Sequence, residues 1–154
     1  MPASLEVFKQ NYLVVGLDDE AVKRIADLSR LETYLAGESL IQVGEKSGDL
    51  YVILEGQVSI VTEAGDRLAE AGPGSVLGEV ALIDDQPRSA AAVATGLTRA
   101  ARLPAGELRA FMKQNRDIGF TVLANLAAVL CHRLRNADRK IDALNCQDPW
   151  RGSL

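Results

Sequence analysis

Gly74 to Val93 reads GSVLGEVALIDDQPRSAAAV. It is glycine-rich at the front, apolar in the middle, and broken by Asp84-Asp85-Gln86-Pro87 just before Arg88-Ser89-Ala90. Gly78-Glu79-Val80-Ala81-Leu82 predicts one short helical turn entered from a glycine. The open amides of such a turn suit an anion. Arg88 lies ten residues beyond Gly78, past a tight turn, and can fold back over the same spot. Its guanidinium offers a planar, charge-assisted fork for phosphate oxygens. Glu79 sets a carboxylate beside that cation, where it would accept hydrogen bonds from a hydroxyl and avoid the phosphate. Taken singly, Glu79 and Arg88 read as surface residues. Taken together they describe a pocket for a sugar phosphate.

Around this stretch the chain reads as short strands. Runs at 32–35, 39–43, 50–55, 57–62, 67–71, 75–77, 90–94 and 97–103 have strand character and are separated by glycine and other turn residues. Eight strands at this spacing predict a double-sheet jelly roll or a small barrel. The fold class expected is mainly β with flanking helices (α+β), an eight-stranded double-sheet jelly-roll barrel over residues 31–104. Helices are expected ahead of it in 1–30. Ser4 is expected to cap the first. Asp18 is expected to cap the second, whose Ala21, Ile25 and Leu28 share a face. After the strands, 107–113 predicts a short helix with Leu108, Phe111 and Met112 turned inward. Asn115 is then expected to cap a long helix over 116–145. The helical region is drawn at 105–146 and a tail at 147–154.

From Leu130 the apolar residues of the long helix advance by steps of 4, 3, 4 and 3, through Leu134, Ala137, Ile141 and Leu144, the a/d spacing of a coiled coil. The seam predicts a two-fold homodimer, ranked ahead of a helix that packs only on its own barrel.

Leu77-Gly78-Glu79-Val80-Ala81-Leu82 through Pro87-Arg88-Ser89-Ala90 closely resembles the phosphate-binding cassette of the cyclic nucleotide-binding domain family, here placed at 74–93. The order of turns at Ala36-Gly37-Glu38, Gly48 to Gly56 and Gly72-Pro73-Gly74 also follows that family, so the likeness runs from about Leu17 to Met112. Leu77 departs from the family's usual phenylalanine, a packing change that removes no ligand. The resemblance implies that Glu79 takes the ribose 2′-hydroxyl and Arg88 the cyclic phosphate. Backbone amides near Gly78 and Ala90, with the Ser89 hydroxyl, would complete the cradle. The candidate binding set is Leu77, Gly78, Glu79, Val80, Ala81, Arg88, Ser89 and Ala90. To it are added Val61 as a wall (Leu68 beside it) and Asn136 for the purine, with Arg133 and Lys140 as further donors near the base. For Val61 and Leu68 a plain core role ranks ahead of the wall; for Asn136 taken alone, a solvated face ranks ahead of a base contact. Trp150 is a candidate lid over the base, ranked behind a frayed chain end.

The function implied is a cyclic nucleotide sensor, cAMP ahead of cGMP, signalling through its C-terminal helix to a downstream protein. A dimerisation or interaction module of the same fold, without nucleotide or with another anion, is the alternative. Composition agrees with a sensor. The chain has 154 residues, 47% hydrophobic, 25% charged, with net charge −4 and a pI near 5.0. That charge disfavours a constitutive nucleic-acid or membrane-surface binder. No unbroken run of about 18 apolar residues predicts a membrane span, and the N-terminus has no secretory pattern, so a cytoplasmic setting is expected. His132 is the only histidine, and Cys131 and Cys146 lie fifteen apart. A zinc site, a cupin-type metal cluster or a His-based triad is therefore not expected, nor is enzymatic activity. Eight residues follow Cys146. No basic recognition helix is present among them, so a DNA-binding domain in this chain is not expected, and the chain reads as a stand-alone module or a piece of something longer.

Overall fold

The computed structural model describes residues 2–46, 48–84 and 86–144. Eight strands run β1 Arg30–Tyr34, β2 Ser39–Ile41, β3 Asp49–Glu55, β4 Val58–Thr62, β5 Arg67–Ala71, β6 Val76–Leu77, β7 Ala90–Ala94 and β8 Thr98–Pro104. They form two four-stranded antiparallel sheets, in the orders β1-β8-β3-β6 and β2-β7-β4-β5. This is the expected double-sheet jelly roll, each expected strand present and differing only at its ends. β2 is the shortest relative to expectation, because the chain turns after Ile41 to lead past Gly44 (φ +80°).

β3 shows why the barrel holds. Its DLYVILE run is apolar without alternation, and both its faces are covered. Leu50, Val52 and Leu54 face a core shared with the helices. Tyr51 and Ile53 face the core between the sheets, against Leu40, Ile41, Val58, Ala92 and Ala100. The small residues of β7 and β8 let the two sheets close together at that point.

Four α-helices flank the barrel: α1 Pro2–Phe8, α2 Asp19–Ala26, α3 Ala105–Gln114 and α4 Arg116–Leu144. A 3-10 turn at Tyr12–Val14 joins α1 to α2. Asp18 caps α2 as expected, its Oδ1 accepting from the Ala21 amide at 2.8 Å. Replacing Asp18 with alanine is expected to cost about 1 kcal/mol, lowering the melting temperature by about 2–4 °C. A thermal melt checks this.

Two expected caps are corrected. α1 begins at Pro2, two residues ahead of Ser4, since proline is well suited to a first helical position. Asn115 closes α3 with its side chain and opens α4 only through its backbone carbonyl, which accepts from the Gly119 amide at 2.9 Å. Its Nδ2 donates to the Phe111 carbonyl at 3.0 Å, and its Oδ1 accepts from Arg24 Nη2 at 3.0 Å.

α4 buries Val122 and Leu126 against the helical core. Within it, Arg116–Asp138 is long and apolar enough, by length and composition, to cross a membrane. An average over the helix reveals this where a search for an unbroken apolar run does not. Asn125 ties α4 to the N-terminal 3-10 turn, donating to the carbonyls of Leu13 at 2.8 Å and Val15 at 2.9 Å. Phe120 is 75% exposed and Leu134 64%. Leu123 is exposed as well, and Leu130 is half-buried. With Ala127 and Ala137 these residues alternate steps of three and four, so the a/d seam begins at Phe120, ten residues before the expected start. The expected lid, Trp150, lies outside the described residues, as do the side chains of Lys140, Ile141 and Leu144.

Candidate functional site

β6 ends at Leu77 and hands the chain to Gly78, which sits at φ +75° and ψ +14°. That left-handed conformation turns the backbone into a 3-10 turn over Glu79–Leu82, the single helical turn expected from the sequence. The chain then returns through Pro87 into β7, carrying Arg88 back over the turn. Arg88 Nη1 donates to the Gly78 carbonyl at 3.1 Å and Nη2 to the Asp49 carbonyl at 2.5 Å. The backbone of Arg88 is fixed by exchange with the β2–β3 loop, Gly44 N to Arg88 O at 2.8 Å and Arg88 N to Glu45 O at 2.9 Å. A further guanidinium donor, Arg88 Nε, is buried without a hydrogen-bond partner. Buried donors are seldom left so, and the exceptions call for a ligand or a function.

Glu79 heads the same turn and is 4% exposed. Its Oε1 accepts from the Tyr12 hydroxyl at 3.0 Å and is paired with Arg133 Nη2 at 2.9 Å. Burial, then the Glu79 charge and the hydrogen bond to it, raise the Tyr12 phenol above its ordinary pKa, so it stays a donor. The far end of the turn is held from α3, where Arg109 Nη1 donates to the Ala81 carbonyl at 2.9 Å.

These elements wall a cleft of about 590 Å³, within the size range of small-molecule sites of roughly 300–1,000 Å³. Leu77, Gly78, Glu79, Val80, Ala81, Arg88, Ser89 and Ala90 all line it, so the structure brings the eight cassette candidates together. Ile41, Ile60, Ala69 and Val76 make an apolar wall, and Arg133 reaches the rim from α4. A cyclic nucleotide fits this donor set. Arg88 and the open end of the turn would hold its phosphate, Glu79 would accept from its ribose, and the apolar wall would flank the base.

Two candidates fall outside. Val61 does not line the cleft; its strand neighbour Ile60 does. Successive strand side chains point to opposite faces, so only one of the two can. Leu68, beside it, is exposed while Ala69 lines the cleft. Asn136 is exposed and its amide lies 3.3 Å from His132 Nε2, one turn back on α4. At about 100° per residue, Arg133 falls within about 20° of the buried Leu126, but Asn136 falls about 80° away. That phase carries Arg133 to the cleft and leaves Asn136 off it. Tyr12 and Arg109 are not foreseen from the sequence. Arg133 is foreseen near the base and found on Glu79.

A family model for the cyclic nucleotide-binding domain matches residues 31–115. Glutaminase 2 of Bradyrhizobium diazoefficiens is 32% identical over 133 residues, 86% of this chain but 21% of that protein. The cyclic AMP receptor protein of Thermus thermophilus is 32% identical over 144 residues, 91% of this chain and 65% of that protein. The solved structure of the Thermus thermophilus catabolite activator protein superposes with a TM-score of 0.77 at 32% identity, covering 88% of this chain and 63% of that one. The chain thus spans about a fifth of the first relative and just under two thirds of the second. The matched residues contain both sheets and the whole Gly78-to-Arg88 site, and the chain belongs to the cyclic nucleotide-binding domain family.

Proposed function

We propose that this chain is a cAMP sensor that works as a homodimer and relays occupancy through α4 to another polypeptide segment. The carrying observation is Arg88: two backbone carbonyls anchor its guanidinium above the left-handed turn, and its Nε has no acceptor. A cyclic phosphate diester brings that acceptor. A few charge-assisted bonds of ~1.5–3 kcal/mol each, less ordering costs, lead to micromolar affinity, about −8 kcal/mol. The cAMP preference over cGMP is supported by the Thermus relative, named as a cyclic AMP receptor. The role is binding without catalysis; the glutaminase match covers 21% of that enzyme and brings no activity with it. Isothermal titration with cAMP, cGMP and inorganic phosphate tests the reading. Heat with cAMP at micromolar affinity supports it, and silence with every nucleotide leaves the alternative, an interaction module of the same fold.

The dimer is supported by the exposed seam Phe120, Leu123, Leu134 on α4, which lies on a different face from the buried Val122 and Leu126. A heptad seam fits a second copy of itself, since a and d residues pack on their own equivalents across a two-fold axis. Leu134→Lys is expected to raise the dimer dissociation constant by about tenfold or more, because it sets an unpaired ammonium in an apolar seam. Sedimentation velocity across a dilution series measures it; an unshifted constant removes α4 as the interface. Signalling follows only if ligand prefers one position of α4 over another.

A further inference from the structure

We propose that Tyr12 is a positioning residue for the sugar. Its hydroxyl holds the Glu79 carboxylate in the orientation that accepts the ligand's 2′-hydroxyl, and Arg133 is the donor that yields. This rests on the cyclic nucleotide reading above.

Both donors use Glu79 Oε1, yet they are held very differently. Tyr12 stands on a 3-10 turn whose neighbours Leu13 and Val14 are 3% and 4% exposed. Asn11 fixes the start of that turn, accepting from the Leu13 amide at 3.0 Å and donating to the Phe8 carbonyl at 2.7 Å. Asn125 of α4 grips its other side through the Leu13 and Val15 carbonyls. The Tyr12 ring is half-buried against the helical core, and its raised pKa keeps the proton in place. The Arg133 side chain is 54% exposed. That exposure lets the guanidinium swing out into water, and a ligand hydroxyl then takes its place as donor, so the buried carboxylate is not left unpaired. A hydroxyl-to-carboxylate bond is charge-assisted and stronger than a neutral one. It also fixes which way the carboxylate faces. Glu79 needs such a partner, since a carboxylate exposed by only 5% of its side chain is costly without donors.

The arrangement couples sugar recognition to both ends of the fold. Tyr12 belongs to the N-terminal turn and Arg133 to α4, and Asn125 joins the two. Displacing Arg133 with a sugar hydroxyl loosens α4 from the site while Tyr12 keeps the carboxylate aimed.

The test is a ratio of affinities, for cAMP and for 2′-deoxy-cAMP, in the full chain. The unaltered protein is expected to favour cAMP by about tenfold or more, the worth of one charge-assisted hydrogen bond. Tyr12→Phe removes only the hydroxyl. It is expected to cut that preference to about threefold or less while changing 2′-deoxy-cAMP affinity less than about twofold. A merely structural loss would lower both affinities together and leave the ratio alone. Tyr12→Met, an apolar filler without a donor, is run in parallel so that a fold defect in one variant does not decide the outcome. An unchanged ratio in a folded variant overturns the role of Tyr12 and leaves the sensor standing. Failure of the unaltered protein to bind either nucleotide overturns both.

Discussion

Replacing Arg88 with alanine is expected to weaken cAMP binding at least about a hundredfold, roughly 3 kcal/mol, with little change in the melting temperature of the free protein. The two halves of that expectation have different causes. In the free protein Arg88 gives two hydrogen bonds to the carbonyls of Gly78 and Asp49, but also carries a buried Nε with no partner. Removing the side chain loses the first and relieves the second, and Gly78, one of the two freed acceptors, lines the open cleft. In the complex the same substitution removes the guanidinium anchored to the Gly78 carbonyl, and with it the charge proposed to face the phosphate. Arg88→Lys separates charge from shape. An ammonium keeps the attraction, but its three donors radiate from one atom and lack the planar fork that spans two carbonyls while facing a phosphate, so a loss of about tenfold is expected. Titration calorimetry on the three proteins measures this series. Equal affinities would place the phosphate elsewhere.

What the sequence shows of this site, and what it hides, follows from distance along the chain. Glu79 and Arg88 lie on one local excursion from β6 to β7, so glycine, turn and charge spacing are enough to bring them together. The eight strands are legible for the same reason, each bounded by a turn residue whose chemistry is local. Tyr12 meets Glu79 across 67 residues and Arg109 meets Ala81 across 28. Nothing periodic in the sequence announces either pairing; it exists only because the helices dock on the barrel. Arg133 is an intermediate case. It stands seven residues, about two helical turns, past Leu126, so a reader who fixes the buried face of α4 can place it over the barrel. The chemistry of an amide favours Asn136 for a base, but the phase of the helix does not. Val61 and Ile60 differ by one step on a strand, where the pairing with β5 shifts register. An alternating pattern cannot be counted through such a bulge.

Gly78→Ala is expected to do what few single methyl groups do: lower stability and abolish measurable micromolar binding together. A Cβ at this position would lie 2.8 Å from Arg88 Nη1 and 2.9 Å from the Asp49 carbonyl oxygen. The first neighbour is flexible and can move, but it is the proposed phosphate ligand, so its movement is expected to remove the site. The second is backbone of β3, the central strand, and cannot give way. A left-handed φ of +75° adds strain for any residue with a side chain, about 1–2 kcal/mol. The total stability loss expected is about 1–3 kcal/mol, a fall in melting temperature of about 2–4 °C per kcal/mol. Gly65→Ala is the control. Gly65 also has a positive φ, +92°, but an added Cβ there meets nothing within 4 Å. It should show the conformational strain alone, about 1–2 kcal/mol, with cAMP affinity unchanged. If the two alanine variants lose stability and keep affinity equally, the close approach of Arg88 to Gly78 has no part in binding. A loss of affinity confined to Gly78→Ala ties the anion site to the missing side chain at that one turn.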